Sequence, residues 1–291
     1  MEVRWTFVHQ WSHLSNRYVP MTRSMARLSL AGLIAAGPPA VLGAQSPPSS
    51  ARAAAPTARA PGAAKPTVVL VHGAFADGTG WQHVIPLLER DGYNVIAVQN
   101  PLTSFSTDVE TTKRVVDAQQ GPVILVGHSY GGAVITEAAA GSPRVKALVY
   151  IAAFAPEAGE PIGAFGEKYP APLGAALKPD AAGFLYVDRA KFRDVFARDV
   201  PATEASVMAA AQKPIIGNVF GATVTHASWK TIPSFYLVSQ QDRALNPDLE
   251  RFYAKRMGAK TVEVSSSHVS FVSHPDAVTR LIEQAASAPA K

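Results

Sequence analysis

Residues 122–140 read Pro-Val-Ile-Leu-Val-Gly-His-Ser-Tyr-Gly-Gly-Ala-Val-Ile-Thr-Glu-Ala-Ala-Ala, and Ser129 sits at the turn between their two halves. The apolar run at 122–126 is rich in β-branched side chains and reads as a buried strand. The stretch 132–140 is rich in small residues and reads as a tightly packed helix. So sharp a strand-to-helix reversal forces its middle residue into a strained backbone conformation. Gly127 and Gly131, two residues either side, remove the Cβ atoms that would block the turn. The Ser129 hydroxyl is then presented at the positive end of a helix, where it can meet an electrophile.

Outward from this turn the chain alternates between strands and helices. Strands are expected at 68–71, 94–98 and 145–151, and helices at 81–90, ended by Asp91-Gly92, and at 106–119, with Ser106 or Thr107 as N-cap. Strands alternating with helices give a mostly parallel central sheet flanked by helices, an α/β fold. The alternation stops near Ala155. Residues 156 to about 230 carry helical stretches at 188–198 and 203–212 and nothing that reads as a central strand. It resumes with a strand at 233–238, a helix at 247–257, a strand at 261–264 and a helix at 276–286. One α/β domain over 66–287 with a helical cap insertion over about 156–230 accounts for this order.

A serine hydroxyl becomes a nucleophile when a base takes its proton, and the base needs a partner to hold its tautomer. In sheets of this kind the chain order is nucleophile, acid, base. Asp242 follows the strand at 233–238, and His268 follows the strand at 261–264, so both stand at strand carboxyl ends, where open parallel sheets collect functional groups. His128 neighbours the serine but points away from it. His72 reads as a structural loop residue, His274 as support for the last helix, and His83 and His226 as surface or packing residues. Among the other acids, Glu157 and Glu160 follow the preceding strand, while Asp248 suits the first turn of a helix. A developing oxyanion needs fixed donors. Tyr130 N–H, directly after the serine, and Ala74 N–H, in the loop His72-Gly73-Ala74-Phe75 after the first strand, are the candidates.

Composition narrows the remaining possibilities. With 47% hydrophobic and 17% charged residues, the 291-residue chain can bury a sizeable core. Residues 1–44 hold Arg4, Arg17, Arg23 and Arg27 against Glu2, which is +3 of the formal +5. What remains is nearly neutral, without a basic stripe or a phosphate-cradling loop, so nucleic acid is not an expected partner. The chain has no cysteine, which excludes disulfides, thiolate metal sites and a cysteine nucleophile. Arg23 and Arg27 precede the apolar stretch 28–36, and small residues follow to Ala44. That is the anatomy of a secretory signal peptide over 1–44, with Met21 as an alternative start, and it predicts a secreted or periplasmic protein. The apolar core is too short to span a bilayer. The alternative is an unstructured Ala/Pro-rich tail, and residues 45–65 read as a linker either way.

With these residues in place, the chain resembles the α/β-hydrolase superfamily over nearly all of 66–287. It is most similar to small bacterial esterases with Val-His-Gly-Ala-Phe, Gly-His-Ser-Tyr-Gly-Gly and Ser-His-Val-Ser motifs, akin to plant methyl esterases, hydroxynitrile lyases and pyrethroid-type carboxylesterases. The resemblance implies a triad of Ser129, Asp242 and His268, oxyanion donors at Ala74 and Tyr130, no cofactor and no metal, and a lid formed by the insertion. It implies hydrolysis of small apolar or aryl carboxylic esters through an acyl-enzyme. Related alternatives are acyl transfer, C–C hydrolysis and hydroxynitrile-lyase chemistry. The lyase branch has a lysine directly after the catalytic histidine, where this chain has Val269, which counts against that chemistry. Ser129 excludes the aspartate-nucleophile chemistry of haloalkane dehalogenases. A ligand-binding protein on the same fold is the non-enzymatic alternative. Phe75, Phe154, Phe196 and Trp229 are candidates to line an apolar pocket, as are Trp81, Phe165, Phe184, Tyr186 and Phe192.

Overall fold

The computed structural model of the protein describes residues 65–288, so the export segment expected over 1–44 and the linker up to residue 64 lie outside the described residues. The chain opens with β1 (Thr67–Val71), a 3-10 turn (Gly78–His83), α1 (Ile85–Arg90) and β2 (Val95–Val98). It continues through α2 (Phe105–Asp117), β3 (Val123–His128), α3 (Tyr130–Ala138) and β4 (Val145–Ile151). The insertion holds β5 (Leu177–Pro179), β6 (Phe184–Val187), α4 (Arg189–Phe196), α5 (Ala202–Ala211) and β7 (Ile215–Ile216). The last block is β8 (Ser234–Ser239), α6 (Pro247–Met257), β9 (Lys260–Val264), α7 (Ser270–Ser273) and α8 (Pro275–Ala286). None of the described helices is long and apolar enough to cross a membrane.

Six strands form one sheet in the order β2-β1-β3-β4-β8-β9, parallel throughout. Every residue of β3 is buried although successive side chains point to opposite faces, so the sheet is covered on both sides. Helices α3 and α8 both pack on β3 and β4. Each fully buried Val, Leu or Ile in these central strands contributes roughly 1.5–3 kcal/mol relative to exposure. The winding direction reverses between β1 and β3. This is the switch point at which parallel sheets open a crevice beyond their carboxyl ends, and the loop carrying Ala74 and the turn carrying Ser129 both leave the sheet there.

Three local expectations are corrected. The helix expected at 81–90 is split into a 3-10 turn and α1, because Pro86 lies at the start of α1 and has no N–H to continue the earlier turn. The N-cap of α2 is Ser104 rather than Ser106 or Thr107. Ser104 is extended (φ −163°), and its Oγ accepts from Thr107 N at 3.1 Å, while Ser106 and Thr107 already lie inside the helix. The insertion is not purely helical: α4 and α5 are joined by the antiparallel sheet β5-β6-β7. Those strands have only two to four residues and pair Phe184 with Ile216 across the two helices, which leaves no periodic trace.

Candidate active site

Ser129 has φ 53° and ψ −123°, a conformation a non-glycine residue reaches at a cost of order 1–3 kcal/mol. The surroundings hold it there. Its N–H donates to Ile151 O at 3.2 Å, and its carbonyl accepts from Gly132 N at 2.9 Å and Phe154 N at 3.1 Å. A Cβ at Gly127 would meet Gly131 O at 2.5 Å, and one at Gly132 would collide with Phe154 O. The glycines therefore let helix and strand close on the turn. The Gly73 position is equally tight, since a Cβ there would stand 2.7 Å from Ser129 Cβ. That contact brings the loop of Ala74 against the serine. Among the described residues neither Ala74 N–H nor Tyr130 N–H donates to a protein acceptor.

Asp242 and His268 meet at the ends of β8 and β9. Backbone bonds zip their loops together, Gln240 N to Val264 O at 2.8 Å and Gln241 N to Ser266 O at 3.0 Å. His268 Nδ1–H donates to Asp242 Oδ2 at 2.5 Å, and both side chains are almost fully buried. Asp242 Oδ1 accepts from Ala244 N at 2.6 Å and Leu245 N at 2.9 Å, which fixes the carboxylate. No hydrogen bond joins Ser129 Oγ to His268 among the described residues, and such links are often loose before substrate binds.

The other histidines fall into structural places. His128 Nε2–H donates to His268 O at 3.1 Å, and its ring lies 4.5 Å from that of His268. Burial drives its pKa well below 6.5, so it stays neutral behind the site. His72 Nδ1–H donates to Gly73 O at 2.9 Å and its Nε2 accepts from Asn100 N at 3.0 Å. With its pKa lowered to about 4 by burial, it is a neutral staple between loops. His83 pairs with Glu204, His226 with Glu137, and His274 N-caps α8 through its backbone. The rival acids are engaged elsewhere: Glu157 with Lys230, Glu160 with Arg256, and Asp248 with Arg251.

Tyr130 is anchored through its side chain. Its hydroxyl donates to Asp108 Oδ2 at 2.8 Å, and Asp108 Oδ1 accepts from Leu102 N at 2.8 Å. Burial pushes both the Asp108 carboxyl and the Tyr130 phenol up, so the pair is a proton-bearing phenol on a buried acid. Phe196 of the cap packs its ring 4.9 Å from His268 and 6.2 Å from Phe75, and Phe192 backs it at 5.0 Å. Phe154 lies beside Ser129 through the backbone bond above. Trp229 is drawn elsewhere, with Nε1 donating to Pro156 O at 3.0 Å and its ring under Arg256. Phe165 joins that same arginine cluster, Trp81 packs with its ring tilted 4.6 Å from that of Phe271, and Tyr186 is exposed. Among the described residues no cluster of acids and histidines could hold a metal.

Three site neighbours escaped the sequence reading. Phe220 of the cap stands 6.3 Å from Tyr130 and 6.2 Å from Phe154. Phe271 lies 4.6 Å from His128. Asp199, between α4 and α5, accepts from Ser267 N at 3.1 Å and from Ser267 Oγ, tying the cap to the residue before His268. Of these only Phe271 carried a signal, three positions after His268. Beneath this cap Ser129 is 7% exposed and His268 1%.

The profile of the alpha/beta hydrolase family matches residues 68–281. A pyrethroid hydrolase of Sphingobium wenxiniae is 27% identical over 264 residues, covering 77% of this chain and 89% of that protein. A carbendazim hydrolyzing esterase of Nocardioides is 32% identical over 127 residues, 39% of this chain and 50% of its own length. The crystal structure of polyneuridine aldehyde esterase superposes with a TM-score of 0.67 at 18% identity, over 76% of this chain and 98% of that one, a likeness of fold. With a matching profile over most of its length and a parallel sheet bearing a strained serine at the switch point, the chain belongs to the alpha/beta hydrolase family.

Proposed function

We propose that the protein is a serine esterase that cleaves small apolar or aryl carboxylic esters through an acyl-enzyme. The observation that carries this reading is the strained Ser129 at the same sheet edge as the buried Asp242–His268 pair. In the proposed cycle Ser129 Oγ attacks the ester carbonyl carbon while His268 Nε2 takes its proton. Asp242 holds the imidazole tautomer and balances the imidazolium charge. The carbonyl oxygen, now negative, is received by the N–H groups of Ala74 and Tyr130. Collapse expels the alcohol, which takes the proton from His268, and water then repeats the sequence on the acyl-enzyme. Phe75, Phe154 and Phe196 support an apolar or aryl substrate. The near-complete burial of Ser129 supports a cap that opens to admit ester and closes to exclude bulk water.

The test is turnover of nitrophenyl esters together with labelling by a serine-directed phosphonate. Ser129→Ala should lose the label and roughly 10⁴–10⁶ in rate, and Asp242→Asn should lose much of its rate while keeping the fold. A Ser129→Ala protein that retained about a tenth of wild-type activity would overturn the assignment. We also propose export with removal of residues up to about Ala44. N-terminal sequencing from the native host tests this, and a mature chain still carrying Arg23 and Arg27 would refute it.

A further inference from the structure

A second carboxyl is buried beside the Asp242–His268 pair. Glu250 of α6 is fully buried, and its Oε2 accepts from Ser239 N at 3.0 Å. Among the described residues its Oε1 has no donor. Ser239 O accepts from Asp242 N at 3.1 Å, so the backbone of one strand-end residue holds both acids side by side.

Two ionised carboxylates offer only acceptors, so a contact between them away from water requires one proton. The donors decide where that proton sits. Asp242 receives three, from Ala244 N, Leu245 N and His268 Nδ1, all at 2.9 Å or less. Glu250 receives one. The nearest cation on its helix, Arg251, is committed to Glu263 and Asp248. From β8, Tyr236 turns its hydroxyl to Ala153 O, and on α6 the buried Tyr253 hydroxyl has no partner among the described residues. Negative charge is therefore best stabilised on Asp242, and the proton rests on Glu250. Burial, reinforced by the charge of Asp242, holds the Glu250 carboxyl well above the usual carboxylate range.

We propose that Glu250 is a positioning residue: a neutral carboxylic acid that donates a hydrogen bond to Asp242 and thereby holds the acid that orients His268. This rests on reading Asp242 as the triad acid. Glutamine can do the same work, since its amide N–H donates to Asp242 and its carbonyl accepts from Ser239 N, whereas methionine fills a similar volume with neither.

The experiment compares wild type, Glu250→Gln and Glu250→Met for kcat and KM on a nitrophenyl ester, for thermal unfolding, and for the far-downfield proton resonance of the His268–Asp242 hydrogen bond. Glu250→Gln should keep kcat within about threefold and leave the resonance in place. Glu250→Met should lose about tenfold in kcat at nearly constant KM, with the resonance shifted or lost, as removal of one hydrogen bond to a charged group predicts. A folded Met variant with wild-type kcat and an unmoved resonance overturns the proposal, as does a Gln variant as impaired as Met. Should the Met variant not fold, Glu250→Asp carries the test, because it keeps the acid but withdraws it by one methylene. Its resonance must then move and its kcat fall, or the proposal fails. Ser129→Ala and Asp242→Asn run alongside. Activity surviving in those variants refutes the triad itself, whereas their inactivity beside unaffected Glu250 variants refutes only the role of Glu250.

Discussion

Truncating Phe196 and Trp229 in parallel separates an aromatic residue packed on His268 from one packed beneath Arg256. Both are buried, yet their surroundings differ. Phe196 lies 4.9 Å from the His268 ring, while Trp229 is fastened to Pro156 O and covered by Arg256. Removing either side chain to alanine should cost about 3–5 kcal/mol of stability, or on the order of 10 °C in Tm for a domain of this size. Only Phe196→Ala also opens volume beside the His268 ring, where the proposed ester would react. One methylene of pocket is worth about 1–3 kcal/mol in discrimination, so a lost phenyl ring should move the ratio of kcat/KM between long-chain and acetyl nitrophenyl esters by about tenfold or more. Trp229→Ala should leave that ratio within about twofold while its melting temperature falls. Phe196→Leu, which leaves a smaller void, should lie between and serves if the alanine variant does not fold. The assay is a chain-length series of nitrophenyl esters on proteins whose folding is checked by circular dichroism. Equal shifts in the two alanine variants, or one common factor for every ester in Phe196→Ala, would refute the reasoning.

Two further outcomes are expected. Asp199→Ala removes two of the three hydrogen bonds between the cap and Ser267, leaving the longer one from Ser267 Oγ to Phe196 O at 3.4 Å. Each of the two is worth about 1.5–3 kcal/mol to a charged acceptor, so amide exchange should accelerate in α4 and in the loop around Ser267. Unchanged exchange in both segments would show that Asp199 does not fasten the cap. Glu250→Gln should be more stable than wild type, by a margin that grows with pH. In the folded protein Glu250 keeps its proton, whereas in the unfolded chain it releases that proton around its ordinary value of 4.5. Wild-type stability therefore falls as pH rises above that value, until the folded carboxyl itself titrates, and glutamine carries no such dependence. A difference in melting temperature that stayed constant from roughly pH 4 to 8 would contradict a protonated Glu250.

Much of the fold was legible because its signals are local. The apolar run of β3, the glycines at 127 and 131 and the small residues of α3 lie within 20 consecutive positions, and their meaning does not depend on distant neighbours. The meeting of Asp242 and His268 was legible for a related reason: each stands four residues after the last valine of an apolar run at a strand's carboxyl end, and parallel winding sends all such ends to one edge. The chain alone thus determined the α/β class, the strained turn at Ser129 and the placing of Asp242 and His268 at one sheet edge.

Tertiary structure decided what depends on contact across the chain. The cap sheet pairs strands too short to show a period, so the insertion read as helical until Phe184 met Ile216. Phe196 and Trp229 look alike in sequence, and only packing sends one to His268 and the other to Arg256. Glu250 reads as an ordinary acid near the start of a helix. Its burial against Asp242 exists only once α6 lies on β8, because the cost of removing a charge from water, and the proton that relieves it, are properties of the assembled site rather than of the residue.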